Sequence, residues 1–571
     1  MTKLSLHVEA RLRELLGDVP LALQPPKDRR HGDLALPCFQ IAKTRGEKPP
    51  ETATWLAGAL SPDEIVASAQ AVGPFVNVKF ERAALARSVV QGVLLGEPPY
   101  GPAAATGDVV VIDFSSPNIA KPFHMGHLRS TVIGAALRRI HRHVGHEVHG
   151  INHLGDWGMP FAKMMTAWMR YGDDAKLREN PMRHMFELYK LYTAKAKEDP
   201  KLDQAAARHF QALESGEDNE ERRMWRFLRD ESLEAFNGPY DRLGIEFDHV
   251  TGESFYEDKM EAALQRVRDA GILEVSDGAE IVRLEKQGIK VPCIMRKSDG
   301  TTLYHTRDLA AVFYRAETFK PRRLLYVVGA EQKLHFQQLR AVLKQLGEEL
   351  ADQVEHVPFG LILARNPDSG KWEKFASRGG NAIFLDEVLD EAVAKARELI
   401  REKNPELADA DTIAEQVGVS AIVFNDLKNA RIKDVKFDLE SMTNFDGETG
   451  PYVQYAVARL SSILRKADAG DGATAASAEL DYAALADAED VLLAMLDFGA
   501  ALDRAVEQSE PSALTAFAIR LAGAIHSYLR DHHVLGAELP IREARLALVQ
   551  ASRNLLKTSL SLLGVASPDR M

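Results

Sequence analysis

Cysteine is nearly absent from this 571-residue chain: Cys38 and Cys293 stand alone in distant parts of it. That excludes a disulfide framework and any paired-cysteine metal knuckle, and it fits a reducing compartment. Long apolar runs are missing as well, since none approaches the roughly 18 residues that span a bilayer. The N-terminus, MTKLSLHVEARLRELLG, lacks the continuous apolar stretch of a secretion signal. Its Leu4, Val8, Leu12 and Leu15 recur at helical spacing among charges, and Gly17 closes the helix. A cytoplasmic protein with no membrane contact is expected. Nor is there an excess of positive charge. The 71 Lys and Arg face 83 Asp and Glu, a formal net charge of −12. A basic coat of the kind that clads DNA is therefore excluded, and any nucleic-acid contact must come from local patches. Internal repeats and true low-complexity tracts are also absent.

What is present is ordinary globular material, 45% hydrophobic and 27% charged. At roughly 100 to 200 residues per domain the length implies three or four domains. Residues 1–105 mix amphipathic helices with short strand-like runs such as FVNVKF and end in the Pro, Gly and Ala linker at 97–108. Beyond it, VVVIDF at 109–114, a loop, a helix over about 127–144 and EVHGINHLG make a βαβ unit, hence a parallel sheet with a right-handed crossover. A helical, charged insertion is expected at about 160–260. A second βαβ unit follows, with RLLYVVG at 323–329, a helix over about 331–346 and a strand HVPFGLIL at 356–363. The polar stretch 364–381 reads as a mobile loop over the sheet's C-terminal edge. The first large domain thus covers 106–382, a helical connecting region 383–445, and a helical bundle 446–571. The last helix starts at Pro540. The bundle carries more acidic than basic residues, so it is not an evident electrostatic footprint.

The segment SSPNIAKPFHMGHLRS at 115–130 lies between a buried strand and a helix. His124 and His127 flank Gly126 at the positive end of that helix, a position suited to nucleotide phosphates. A pair of surface histidines at a turn is the plainer alternative, and the strand-loop-helix context disfavours it. A second polar cluster, KWEKFASRGG, follows a strand of the later unit; Lys374 and Arg378 there can neutralise charge on a leaving pyrophosphate, or simply belong to a solvated loop. Seven histidines between 124 and 153 invite a zinc reading, but no third and fourth ligand falls beside His149 and His153, so no resident metal is expected.

HMGH at 124–127 resembles the HIGH signature of class I aminoacyl-tRNA synthetases. KFASR at 374–378 resembles a degenerate KMSKS loop, with Phe375 and Ala376 in place of Met and Ser, Ser377 in place of the second Lys, and Arg378 in place of the last Ser. NHLGDWG at 152–158, YHTRD at 304–308, GAEQKLH at 329–335, GPYVQYAVARL at 450–460 and the ending LLGVASPDRM are similar to arginyl-tRNA synthetases. HGDLALPCFQIAK at 31–43 and GPFVNVKF at 73–80 are similar to that family's additional N-terminal domain. The resemblance spans essentially the whole chain.

The resemblance implies a multidomain α/β fold: a class I Rossmann-like parallel-sheet catalytic domain with helical insertions, an α+β N-terminal domain that binds the tRNA corner, and an all-α C-terminal anticodon-binding bundle. It implies ATP with Mg²⁺, L-arginine and tRNA(Arg) as reactants, no DNA partner, a monomer, and a need for tRNA before arginine is activated. His124, His127 and Lys374 would act on the phosphates, with Gly126, Ser377 and Arg378 in the ATP site. Arginine would be held by Asp113, Asn118, Tyr304, Asp308 and Gln332. That set makes chemical sense, because guanidinium offers five donors and no acceptor, and lysine's single charge would leave acceptors unpaired. Phe75 would stack and Asn77 hydrogen-bond an unpaired tRNA base, and Tyr452, Tyr455, Arg459, Tyr528 and Met571 would serve in the bundle. For Phe75 and the tyrosines, plain packing stays open. So do two other classes of function: a nucleotidyltransferase that also uses an HxGH turn, and a non-enzymatic RNA-binding paralogue.

Overall fold

A computed structural model describes residues 2–215, 217–366, 369–374, 384–468 and 480–571. The chain begins with the amphipathic helix Lys3–Leu16, which buries Leu4, Val8 and Leu12 and stops at Gly17. Leu15 departs from the expected stripe and lies exposed. Strands β1 (Leu34–Pro37), β2 (Val66–Val72) and β3 (Phe75–Phe80) form an antiparallel sheet in the order β1-β3-β2. The buried Asp33 accepts from the Phe80 amide and pairs with Arg82, which reaches on to Glu489; Arg29 pairs with Asp497. Ion pairs thus tie the N-terminal sheet to the C-terminal helices.

The central layer is a five-stranded parallel sheet of β4 (Val109–Asp113), β5 (Glu147–Asn152), β6 (His249–Val250), β10 (Arg323–Gly329) and β11 (Val354–Phe359), ordered β11-β10-β4-β5-β6. Its inner strands are apolar on both faces because helices cover both, as parallel sheets require. The crossover helix Met125–His143 lies so close to β4 that a Cβ on Gly134 would fall 2.2 Å from Phe114 Cβ. The 160–260 stretch is helical over most of its length, in helices Met159–Tyr171, Asp174–Glu179, Pro181–Lys195, Lys201–Glu214 and Glu220–Leu243, but it also contributes β6 to the sheet edge. Between β6 and β10 the chain builds a small antiparallel sheet of β7 (Leu273–Ser276), β8 (Ala279–Val282) and β9 (Cys293–Arg296).

Two expectations are corrected. HVPFGLIL is not one strand: β11 ends at Phe359, and β12 (Ile362–Arg365) belongs to another sheet. The break is at Gly360, where a Cβ would press within 2.7 Å of Lys433 backbone and the Asp434 carboxylate. Nor is 364–381 wholly loop, because β13 (Trp372–Lys374) pairs antiparallel with β12, which in turn pairs with β14 (Val435–Phe437). The half-buried Trp372, with Lys436 Nζ 5.4 Å from its ring centroid, supplies the packing that the polar composition concealed. β14 also interrupts the otherwise helical run after 383. The C-terminal helices Gly450–Asp468, Ser512–Asp531 and Leu539–Leu563 share one large core with the catalytic helices. No helix among the described residues is long and apolar enough to cross a membrane.

Candidate active site

From β4 the chain moves outward through β5 to β6, and from β10 outward the other way to β11. β4 and β10 are neighbours, so their C-terminal ends frame the point where strand order reverses, the place where open parallel sheets bind ligands. A cavity of about 610 Å³ opens there. Asp113, Asn118, Tyr304, Asp308 and Gln332 all line it, together with Gly126 and His127. The topology therefore gathers these residues from three separate stretches of sequence.

One wall is the loop after β4. Ser115, Ser116 and Ala120 hold φ values of 71°, 50° and 58°, a left-handed backbone that non-glycine residues rarely adopt. Surrounding bonds enforce it. The Ser115 amide donates to Ser130 Oγ at 2.9 Å, the Ser116 amide to Asn152 Oδ1 at 3.2 Å and the Ala120 amide to Ser232 Oγ at 2.8 Å. Asn118 leaves the loop against Gly155, where any side chain would collide with its Oδ1.

The loop delivers His124 as the N-cap of the helix Met125–His143. Its Nδ1 accepts from the Gly126 amide at 3.0 Å, and His127 Nδ1 accepts from the His124 amide at 3.3 Å, a reciprocal capping box built from imidazoles. The rings stack with centroids 4.0 Å apart. A Cβ on Gly126 would stand 2.7 Å from the His124 ring, so glycine is required between them. Burial, then mutual repulsion for His127 and the nearby Lys121 for both, push the two imidazoles below their ordinary pKa. A neutral ring whose Nδ1 accepts carries its proton on Nε2. A serine cap would satisfy the helix equally well, but the imidazole also presents an N–H donor beyond it. Lys121 itself is half-buried, with its Nζ 4.8 Å from the Tyr189 ring centroid, and burial lowers its pKa. Sequence reasoning passed it over, although it stands three residues before His124.

The opposite wall comes from the helix Tyr304–Phe319 and the turn after β10. Asp308 Oδ2 lies 2.6 Å from His335 Nε2. Burial raises the Asp308 carboxyl, but that bond and the charges around it prevail and hold its pKa below the usual value. His305 joins Gln338 at 3.1 Å and is depressed to about 4 by burial and by His335. Tyr304 packs its ring on both histidines and stays half exposed to the cavity. Asp113, at the floor, is buried; its Oδ2 pairs with Arg315 Nη2 at 2.8 Å, and its Oδ1 accepts from Ser116 Oγ at 2.9 Å. Glu253 also lines the cavity, though no motif marked it; burial, despite Arg307, pushes it up to about 7. It is fixed in place by Asp156 of the GDWG stretch, whose carboxylate caps the following turn through the Ser254 amide at 2.9 Å and hydroxyl at 2.6 Å. A second cavity of about 300 Å³ shares Asn118, Gly155, Glu253 and Tyr304 and is lined further by Lys121, Trp157, Tyr189, Lys297 and Arg307.

Lys374 ends β13 as an exposed residue paired across from Leu363, and it does not line the cavity. Ser377 and Arg378 lie outside the described residues. In the N-terminal sheet Phe75 meets the exposed Phe39 edge to face at 6.0 Å, whereas Asn77 is buried beneath Gly32 and presents no free amide to solvent. In the bundle Tyr452 and Tyr455 converge on His526, with centroids 4.9 and 5.8 Å away, and Arg459 adds a half-buried cation there. Tyr528 is buried, hydrogen-bonds Asp487 at 3.3 Å and stacks on His532. Met571 packs against the bundle core, its carbonyl 3.5 Å from Asn404 Nδ2.

Comparison with known proteins agrees with this geometry along the whole chain. The family model "tRNA synthetases class I (R), catalytic domain" matches residues 89–439, the DALR anticodon binding domain 453–571, and the arginyl tRNA synthetase N terminal domain 2–80. An arginine–tRNA ligase of Exiguobacterium sp. is 44% identical over 97% of this chain and 96% of its own. One from Streptococcus pneumoniae is 42% identical over 96% and 95%. The solved arginyl-tRNA synthetase of Thermus thermophilus superposes with a TM-score of 0.83 at 27% identity, covering 98% of each chain. A parallel sheet with imidazole-capped crossover helix, an acceptor-lined cavity at its switch point and these matches lead to one conclusion: the chain belongs to the arginyl-tRNA synthetases of class I.

Proposed function

We propose that the cavity between β4 and β10 performs arginine–tRNA ligation in two steps. The carboxylate of L-arginine attacks the α-phosphorus of ATP and pyrophosphate leaves. A hydroxyl of the terminal adenosine of tRNA(Arg) then attacks the carbonyl carbon of arginyl-adenylate, and AMP leaves. Neither step needs a protein nucleophile, so catalysis rests on positioning and on neutralising phosphate charge.

The observation that carries this reading is the meeting, in one cavity, of five acceptor-bearing side chains with His127, whose ring stacks on the capping His124. Asp113, Asn118, Tyr304, Asp308 and Gln332 offer oxygens to a group that is all donors. Glu253 joins them by position. His124 and His127 direct Nε2–H donors at the phosphates without adding charge, and Lys121 adds the cation. Lys374 approaches ATP from the β12–β13 hairpin, with Ser377 and Arg378 beyond it. Magnesium arrives on the phosphates of ATP; among the described residues no group of three or more His, Cys, Asp or Glu would hold a resident ion. The neighbouring cavity, walled by Trp157, Tyr189 and Lys297, suits the adenosine at the tRNA end, since a base can stack there and basic groups meet its phosphate.

The division into residues 1–105, 106–382, 383–445 and 446–571 belongs to the same proposal. The N-terminal sheet takes the tRNA corner through Phe75, the connecting helices the stem, and the bundle the anticodon through Tyr452, Tyr455 and Arg459. The enzyme works in the cytoplasm as a monomer.

ATP–pyrophosphate exchange, run with each amino acid in turn and with or without bulk tRNA, tests the reading. Exchange confined to arginine and dependent on tRNA is the expected result. Absence of exchange with every amino acid, by folded protein that still binds tRNA, overturns it in favour of a non-enzymatic RNA-binding paralogue.

A further inference from the structure

Below the cavity floor lies a charge that no substrate can touch. Arg315 is 0% exposed, yet it carries a full guanidinium whose Nη2 sits 2.8 Å from Asp113 Oδ2. Its guanidinium carbon is 5.3 Å from the Tyr326 ring centroid and 5.9 Å from that of Tyr256. Burial works against this charge, but the two tyrosines and Asp113 outweigh it, so the group stays ionised. Arg315 stands seven residues after Asp308 on the helix Tyr304–Phe319, two turns along the same face. One helix therefore supplies a carboxylate to the cavity wall and a cation to its floor.

A buried ion pair is a poor way to stabilise a fold, because desolvation consumes most of the Coulomb gain and apolar residues of the same volume serve as well. Its worth must lie elsewhere, and here it lies under the ligand. Asp113 is opposite Tyr326 in the sheet register and lines the cavity. With Ser116 on Oδ1 and Arg315 on Oδ2, its carboxylate plane cannot turn.

We propose that Arg315 is a positioning residue for recognition of the substrate's cationic side chain. It fixes Asp113 in one ionised orientation and cancels its charge, so that Asp113 reads the shape of the guanidinium while Asp308 answers its charge. This rests on the assignment of the cavity to arginine. The groups facing Asp113 are Arg315, Ser116, Tyr326 and, beneath the guanidinium, Tyr256; Asp308, Glu253, His153 and His335 line the same cavity. Without Arg315, a buried unpaired carboxyl takes up a proton more readily, and binding that needs its ionised form weakens as pH falls.

The test is steady-state aminoacylation by Arg315→Met, Arg315→Lys, Asp113→Asn and the double variant Arg315→Met/Asp113→Asn, from about pH 6 to 9, with Asp308→Ala as reference. Arg315→Met is expected to raise the KM for arginine about tenfold with the KM for ATP unchanged. Its arginine KM should climb further towards low pH. Arg315→Lys should restore the flat pH profile, and Arg315→Met should add nothing in the Asp113→Asn background. Equal rises in both KM values, a flat profile in Arg315→Met, or additive losses in the double variant overturn the proposal. Should Arg315→Met fail to fold, the lysine variant and the double variant, which removes both charges together, decide alone. If Asp113→Asn and Asp308→Ala both leave the arginine KM untouched, it is the cavity assignment that fails instead.

Discussion

The two βαβ units of the central sheet are built alike and used differently. In the first, residues 114–124 separate β4 from its helix, and three non-glycine residues there are forced to positive φ. In the second, the single turn Ala330–Gln332 leads from β10 straight into the helix Lys333–Gln345, with no such residue. The long, strained connection carries two imidazoles around a helix N-terminus; the short one places His335 against Asp308 and Gln332 on the wall of the same cavity. In the proposed reaction, equal topology thus yields one face for phosphate and another for an amino-acid side chain. The difference lies in connection length and in the bonds that hold the connection.

Substitutions in each unit should separate the two chemistries. The largest effect belongs to the first unit: His124→Ala and His127→Ala each remove a donor aimed at developing phosphate charge, a loss of about 10² to 10³ in the rate of adenylate formation. Single-turnover measurement should show it with the KM for arginine unchanged; a matching rise in that KM would break the separation. Next, Asp308→Ala, which faces His335 of the second unit, should weaken arginine binding by about 2 to 3 kcal/mol, because His335 loses its partner and the ligand its counter-charge. The KM for ATP should hold, and equal losses in both would point to local collapse.

The smallest effect is on stability and spans both units. Burial depresses His141, on the first crossover helix, to about 3 and His305, on the wall of the second, to about 4, while His127 falls well below its ordinary value. Unfolded imidazoles titrate near about 6.5, so below that pH the unfolded chain binds protons the folded one refuses, and stability falls as pH falls. Urea midpoints should therefore drop between about pH 7.5 and about pH 5.5, where carboxylates of ordinary pKa are still ionised and the raised Glu253 opposes the histidines only in part. His141→Asn should flatten that dependence, and an unchanged slope would remove His141 from the account.

Much of the site was legible in the sequence. HMGH announced a helix start because small and polar residues at a strand-to-helix junction are read by local rules, and the cavity does gather Asp113, Asn118, Tyr304, Asp308 and Gln332. Less legible were features that depend on distant neighbours. Gly360 breaks a strand only because Lys433 and Asp434 lie against it, and Trp372 makes a strand of a polar stretch only where β12 is there to receive it. That Asn77 is buried beneath Gly32 and Tyr528 against Asp487 likewise depends on neighbours far away in the chain. Glu253 carried no periodic or motif signal at all, and Lys121 stood unmarked inside the SSPNIAKPFHMGHLRS segment.

The sequence by itself determined the helices and strands of the sheet, the capped start of the crossover helix, and the residue types that an arginine pocket needs. Each of these follows from spacing and turn chemistry within a few residues. Only the tertiary structure decided which charges cancel. Asp113 and Arg315, and Asp33 and Arg82, are brought together by strand order and helix packing, and a carboxylate's readiness to meet a ligand depends on the partner it already has.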